Sequence, residues 1–444
     1  MGDNGFVRVT PIVAVVLLGT ACASSPSNGH PSSSSVHPFS SSVHSSSSSA
    51  QPSSSATQGP VAVSLRVADG VSLLVRGTYP PVHSKCKHPE HPLLKARYPG
   101  ELSIRRADDG SLGLTVTLPF ERYLDGIAEV PSSWPMAALE AQAIAARSYA
   151  LASTGWGGAR GEKLKTPICG TASCQVYAGI PVRPERGIHR WSEAVRRTAG
   201  RVLLYRGRPA DAVYFSTSNG HTYGNDQIFG SAPLPYLRPV VERDDRASPE
   251  SHWRVRLPFR DLATFLHAAG EWPKGKDISG VLIKGSTVVI EGPGTRRSVE
   301  KSAFSSAMNT WAPCFEPRRY PPGSWNGPPL PVTVPSVWFR VAPAKGAVIL
   351  VGRGWGHGVG MVQWGAYGKA RRGLSAPQIL AYYYGGLHPQ HYPEPGLIHV
   401  LVATGLTSLS IVPSGPGAKL DGRPLRARKL HVTGGDHLVV RTRD

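Results

Sequence analysis

Between Val61 and Leu118 apolar and polar residues alternate in VAVSLRV, VSLLVRG, LSIRRA and LGLTVTL, and Gly, Pro or Asp-Asp-Gly interrupts the runs. A period of two sends one face of a strand to a core and the other to solvent, so this stretch predicts strands and hairpins. The pattern then changes: after Ser133-Trp134-Pro135 comes MAALEAQAIAARSYALAS, rich in Ala and free of Gly and Pro. It predicts a helix over Pro135 to Ala152, with Ser133 or Trp134 as N-cap and Pro135 in the first turn. So many alanines let a backbone pack closely on all sides, which predicts a buried helix. Further on, Trp191–Thr198 reads as a short helix, and Val202–Tyr205 and Ala212–Ser216 as strands. WRVRLP predicts a strand, RDLATFLHAA a helix and VLIKGSTVVIEG a hairpin, while Pro-rich 316–335 predicts irregular chain. Met361–Arg371 and about Ala376–Tyr384 predict helices, and short strands return from Ile398. The fold class is α+β, strand-rich, with one long buried Ala-rich helix and a few shorter ones.

The start of the chain reads differently. Arg8 precedes the apolar run Ile12–Leu18, too short to span a bilayer, and small residues follow, so residues 1–23 predict a signal peptide. Ala21 and Ala23 form an A-x-A cleavage site, and Cys22 is the alternative, a lipid-anchored cysteine and the only route to a membrane. Residues 24–59 are mostly Ser with Pro and His, too polar to offset the entropy of ordering, and predict a disordered tether. As a flexible coil it spans roughly 30 Å. An extracytoplasmic place, in the cell wall or on the outer face of the membrane, follows from these features.

Composition adds the partner's sign and the redox setting. A net charge of +20 favours an anionic partner. Aromatics do not interleave with Lys and Arg in a nucleic-acid motif, so nucleic acid is not expected. Besides Cys22 there are four cysteines, an even number suited to an oxidising compartment. Cys169 and Cys174 are close enough for a local disulfide, leaving Cys86 and Cys314 to pair over long range. A zinc site is the competing reading of Cys169 and Cys174, but no histidine adjoins them, so no metal or other cofactor is expected.

Three segments carry more polar and glycine content than packing alone requires: Tyr123 to Pro135 running into the long helix, Tyr214 to Thr222 (YFSTSNGHT), and Gly352 to Gly368 (GRGWGHGVGMVQWGAYG). In the last, the glycines would let backbone approach a ligand. YLDGIAEVPSSWPMAALEAQAIAARSYAL, CQVYAG, YFSTSNGHT and GWGHGVGMVQWGAYG, in that order, resemble the stage II sporulation protein D (SpoIID/LytB) domain family. The resemblance covers roughly residues 61 to 400 and divides the chain into a SpoIID-like domain at 60–400 and a β-rich C-terminal extension at 401–444. It implies a protein acting on peptidoglycan glycan strands, as a lytic transglycosylase or as a non-catalytic enhancer of an amidase partner. The family's catalytic glutamate falls on Glu129, in a stretch after Gly126 that is shorter than the commoner pattern.

The residues fit that chemistry. Glycosidic cleavage needs an acid at the leaving oxygen. A lytic transglycosylase needs no second carboxylate, because the sugar's own 6-hydroxyl attacks. The three segments offer few carboxylates beyond Asp125 and Glu129, and Asp125 reads as a turn residue. Glu129 lies between Ala128 and Val130, where desolvation would raise its pKa; balancing a helix dipole is its bland alternative. Ser216, Ser218, Asn219, His221, His357, Gln363, Trp364 and Tyr367 are candidate substrate-binding residues, with structural turns or core packing as the alternatives. Gln142, Arg147 and Tyr149, on the long helix, are expected to hold the Glu129 loop. A serine triad of Ser216 or Ser218 with His221 or His357 and Asp211 lacks a G-x-S-x-G elbow.

Overall fold

The computed structural model describes residues 61–80, 86, 93–158, 164–180, 188–321 and 332–443. The signal segment with Cys22 and the tether lie outside the described residues. The architecture is α+β, as the patterning predicts. Two largely antiparallel sheets form the first layer. One runs in the order Arg423–Pro424, Lys419–Leu420, Ala62–Arg66, Glu101–Arg106, Leu112–Pro119, Leu397–Leu406, Ile168–Cys169. The other runs Val439–Arg443, Lys429–Thr433, Ser408–Pro413, Ser72–Thr78, Leu93–Pro99. Strict alternation buries Leu112, Leu114, Val116 and Leu118 while their neighbours stay partly exposed. The C-terminal strands, expected as an extension, are woven into both sheets: Leu397–Leu406 pairs with Leu112–Pro119, and Ser408–Pro413 with Ser72–Thr78.

Helices α1 (Phe120–Asp125) and α2 (Met136–Ser153) follow the sheet strand Leu112–Pro119. Helix α2 is enclosed on nearly every side, with Ala141, Ala143, Ala145, Ala146 and Ala150 inaccessible to solvent. Pro135 itself is its N-cap, in extended backbone, not Ser133 or Trp134. Its backbone oxygen accepts from Ala138 N at 3.0 Å and Leu139 N at 3.1 Å, which starts the helix without a side-chain cap. Around α2 pack α3 (Ile188–Arg197), the strand Arg201–Tyr205 and two helices near the C-terminus. A one-turn helix α4 (Asn225–Phe229) follows the second motif.

The described residues between Trp253 and Gly352 form an insertion with a hydrophobic core of their own, including Leu257, Phe265, Val288, Phe304, Met308, Phe339 and Leu350. It contains α5 (Phe259–Ala268), α6 (Lys301–Phe315) and two three-stranded sheets. The disulfide Cys86–Cys314 ties α6 to a segment of the first unit. The chain then returns through the Gly-rich motif to α7 (Gln363–Arg371) and α8 (Ala376–Tyr383). Met361 and Val362, expected in the helix, are a strand parallel to Tyr214–Phe215, and α7 starts after them. Long-range pairing overrides the local helical pattern there.

Candidate functional site

Glu129 is placed by a short clasp. After α1 the chain runs antiparallel to Gln175–Ala178: Ala128 N donates to Val176 O at 2.9 Å, and Ala178 N to Gly126 O at 2.9 Å. The disulfide Cys169–Cys174 closes the loop that leads into this partner segment, as the spacing suggests. The clasp aims the Val176 N–H at Glu129 Oε1, 2.6 Å away. Glu129 is 2% exposed, and its Oε2 has no hydrogen-bond partner among the described residues. Ala172 and Val176 of the disulfide loop cluster with Ala128 and with Trp355 of the third motif. Burial pushes the carboxyl up to about 8, against the opposing pull of Val176 N–H and the Gln363 amide. It is therefore a protonated acid at neutral pH.

Gln363, the first residue of α7, brings the third motif to the first. Its Nε2 lies 3.4 Å from the Glu129 backbone oxygen and 3.4 Å from Gln142 Oε1 on α2. Gln142 Nε2 and Gln363 Oε1 are buried without hydrogen-bond partners among the described residues. Tyr123, Tyr149 and Tyr214 surround the carboxyl closely enough that its charge raises each of their pKa values, burial contributing most. Tyr123 Oη donates to Gln175 Oε1 at 3.0 Å, and the Tyr214 hydroxyl has no described partner. Tyr214 and the Val176 N–H were not singled out from sequence: one is a strand tyrosine among many, the other a backbone group.

The second and third motifs lie against each other. Thr217 bridges Trp355, and Tyr223 bridges Val359. Gly354, at φ +77, has no room for a side chain: a Cβ would come within 2.7 Å of Thr217 O. At Gly354 the close backbone approach is to the protein's own second motif. Ser218 donates its hydroxyl to Asp245 Oδ2 at 2.7 Å, and Ser216 Oγ meets Thr217 Oγ1 at 3.1 Å. Among the described residues neither serine hydroxyl meets a histidine or Asp211, so the geometry does not assemble a serine triad. Asn219 Nδ2 donates to Tyr223 Oη at 2.7 Å and leaves its Oδ1 without a partner. His221 is exposed against the Tyr223 ring. His357 Nδ1 accepts from Val359 N at 3.0 Å, which puts its proton on Nε2, and burial pushes its pKa down to about 4.

Trp364 and Tyr367 are half-buried and pack on Trp134, with ring centroids 4.9 and 5.1 Å away. This aromatic group borders the Glu129 loop. Arg147 does not reach Glu129. Fully buried, it pairs with Glu121 at 3.1 Å and Glu394 at 2.7 Å, and donates to Val195 O, so it fastens α1 and α3 to the helix behind the site. Tyr149 is half-buried near the carboxyl. Lys369 on α7 is buried against Glu242 at 3.1 Å and Asp244 at 3.0 Å, and Tyr383 of α8 donates to the same Glu242. That ion cluster, foreshadowed only by the acidic run VERDD, locks α7 and therefore Gln363. Cys169 and Cys174 are bonded to each other, so neither sulfur is a thiolate ligand. Among the described residues no helix is long and apolar enough to cross a membrane.

The α+β fold thus brings the three motifs together around one buried carboxyl, Glu129, whose pKa burial pushes up to about 8. A family model described as SpoIID, Stage II sporulation protein, matches residues 108–205, the span holding Glu129, α2 and the disulfide loop. An uncharacterised protein of Brachyspira hyodysenteriae is 30% identical over 274 residues, covering 61% of this chain and 66% of that protein. Stage II sporulation protein D of Bacillus subtilis is 28% identical over 289 residues, 61% of this chain and 74% of its own length. The amidase enhancer of Bacillus subtilis is 26% identical over 290 residues, 58% of this chain but only 38% of its own length. Over residues 108–205 the chain matches the SpoIID family, in agreement with the motifs of its sequence.

Proposed function

We propose that this is an extracytoplasmic peptidoglycan lytic transglycosylase in which Glu129 is both acid and base. The match to the SpoIID family over residues 108–205 and the likeness to an amidase enhancer support a cell-wall role. The observation that carries the chemistry is the Glu129 carboxyl, pushed up to about 8 with one oxygen held and the other unpartnered. A protonated carboxyl gives its proton to the glycosidic oxygen as the bond to the anomeric carbon breaks. The carboxylate left behind takes the proton of the sugar's 6-hydroxyl, whose oxygen closes on the anomeric carbon to give an anhydro-sugar end. Val176 N–H steadies the carboxylate between the two steps. Trp364 and Tyr367 offer ring faces for sugars, and Asn219 and His221 polar groups beyond them. Mass spectrometry of digested glycan should show anhydro ends with the wild type and no cleavage with Glu129→Gln. Ordinary reducing ends would mean hydrolysis, and undiminished cleavage by the variant would remove Glu129 from the reaction.

A second reading is a wall-binding enhancer of an amidase partner. It is favoured by the depth of Glu129, 2% exposed, and by the likeness to an amidase enhancer. It requires no turnover by the chain alone and faster amidase turnover when the chain is added, with Glu129→Gln as effective as the wild type.

A further inference from the structure

The insertion's sheet of Trp253–Pro258, Ala347–Gly352 and Phe339–Ala344 has two unlike faces. Trp253, Val255, Leu257, Phe339, Val341, Val348 and Leu350 face the insertion's core. The opposite parity faces outward. There Arg254 and Arg340 stand on either side of Val351 in the middle strand, and Arg256 lies beside Ile349 in the next row. All three arginines are exposed. Arg256 Nη2 bonds the carbonyl of Lys345, which adds its own exposed cation at the hairpin. Arg353 N donates to Trp338 O at 3.2 Å, continuing the pairing, and the Arg353 side chain is exposed as well.

This strip leads to the candidate site. Trp338 stacks on Tyr223 with centroids 5.5 Å apart and planes 11° from parallel, and Tyr223 touches His221. Neighbouring strands lie about 4.8 Å apart and alternate residues about 6.8 Å apart, so the guanidinium stems form a close two-dimensional array. Like charges so arranged repel, and none of Arg254, Arg256, Arg340 and Arg353 has an ion-pair partner among the described residues. A face needed only for solubility would mix the signs. Arginine forks match phosphate oxygens two at a time. These rows hold no carboxylate to meet an ammonium group, so a zwitterionic peptide would find only half its partners here.

We propose that the outward face of this sheet, Arg254, Arg256 and Arg340 with Arg353, binds a phosphodiester polymer of the cell wall and holds the chain along it beside the candidate site. The surface is separate from Glu129 and does not depend on the reaction assigned to it.

The test is co-sedimentation of the full chain with purified walls that carry a phosphodiester polymer, and with the same walls stripped of it by hydrofluoric acid. Stripping should weaken wild-type binding at least about tenfold, on the basis of roughly a factor of five per arginine near an anionic surface. The combined Arg254→Ala, Arg256→Ala, Arg340→Ala variant should bind intact walls as weakly as the wild type binds stripped ones. Binding by the wild type should also fall steeply with added salt, and less steeply in the variant. The single change Arg340→Glu, on an exposed position, should weaken binding to intact walls even if the triple variant folds poorly. Wild-type binding unaffected by stripping would assign the affinity to peptidoglycan itself and overturn the proposal. So would an Arg340→Glu protein that binds intact walls as the wild type does.

Discussion

Glu129→Gln keeps the side chain's volume and the hydrogen bond accepted from Val176 N, and it removes the group that ionises. In the unfolded chain the carboxyl titrates near its ordinary value of 4.5, and in the fold near 8. Between these values the native protein holds a proton that the unfolded chain has released, so stability is lost as pH rises from about 4.5 to about 8. Each pH unit is worth about 1.4 kcal/mol. At pH 7, about 2.5 pH units above the unfolded value, the wild type should be less stable than its neutral isostere by about 3 kcal/mol. At 2% exposure, solvent screening takes little from that figure. Urea unfolding followed by tryptophan fluorescence, with disulfides intact, measures it at a series of pH values. The two proteins should coincide near pH 4.5, diverge through neutrality and run parallel above about pH 8. Equal stability at pH 7, or a more stable wild type, would show an ionised carboxylate satisfied by its surroundings and would refute the protonated acid.

Arg147→Met should cost about 3–5 kcal/mol in the same urea assay, because Glu121 and Glu394 would be left facing each other without their cation. The loss should shrink on acidification, since Glu394 is already pushed up to about 7 by burial and protonates readily. For His357 the sign is opposite to that of Glu129: its folded pKa lies below 6.5, so stability is present at neutral pH and lost as pH falls from 6.5 towards about 4. Thermal midpoints of His357→Asn should therefore fall less steeply over that range than those of the wild type, and an equal slope would count against a neutral ring in the fold. Replacing Cys169 and Cys174 together by Ser should cost about 2 kcal/mol for so short a loop. It should also weaken the Val176 donor, moving the upper end of the Glu129 titration, read from the same comparison with Glu129→Gln, to higher pH.

How much of this could be read from sequence depended on where each signal lived. Strands with strict alternation, such as Leu112–Pro119, and the alanine run of α2 carry their burial in local pattern, and both are where the pattern puts them. Glu129 was legible through its motif, and its apolar flanks pointed to a raised pKa. The strand Met361–Val362 was not legible, because what makes it a strand is Tyr214–Phe215, distant in the chain. The same holds for the insertion: its strands Trp253–Pro258 and Phe339–Ala344 look like any others, and only their shared partner Ala347–Gly352 closes them into a unit with its own core. The place of Arg147 on the long buried helix predicts it as a brace for the Glu129 loop. Its partners are set by which face of the helix it occupies, and that face meets α1, α3 and Glu394.

The treatment of buried carboxyls across the fold bears on which of them does chemistry. Among the described residues Glu242, Asp245 and Glu129 are the buried ones. Glu242 is met by Lys369, the Tyr383 hydroxyl and the N–H groups of Arg243 and Asp244. Asp245 accepts both the N–H and the hydroxyl of Ser218. Glu129 receives one N–H, and its second oxygen meets nothing. A chain with a net charge of +20 has cations to spare, and among the described residues one meets Glu242 and none meets Glu129. A carboxyl kept for structure gains from a cation, whereas an acid that must hold its proton near neutral pH would lose it to one. The missing partner is thus the feature that separates Glu129 from the carboxyls that hold the protein together.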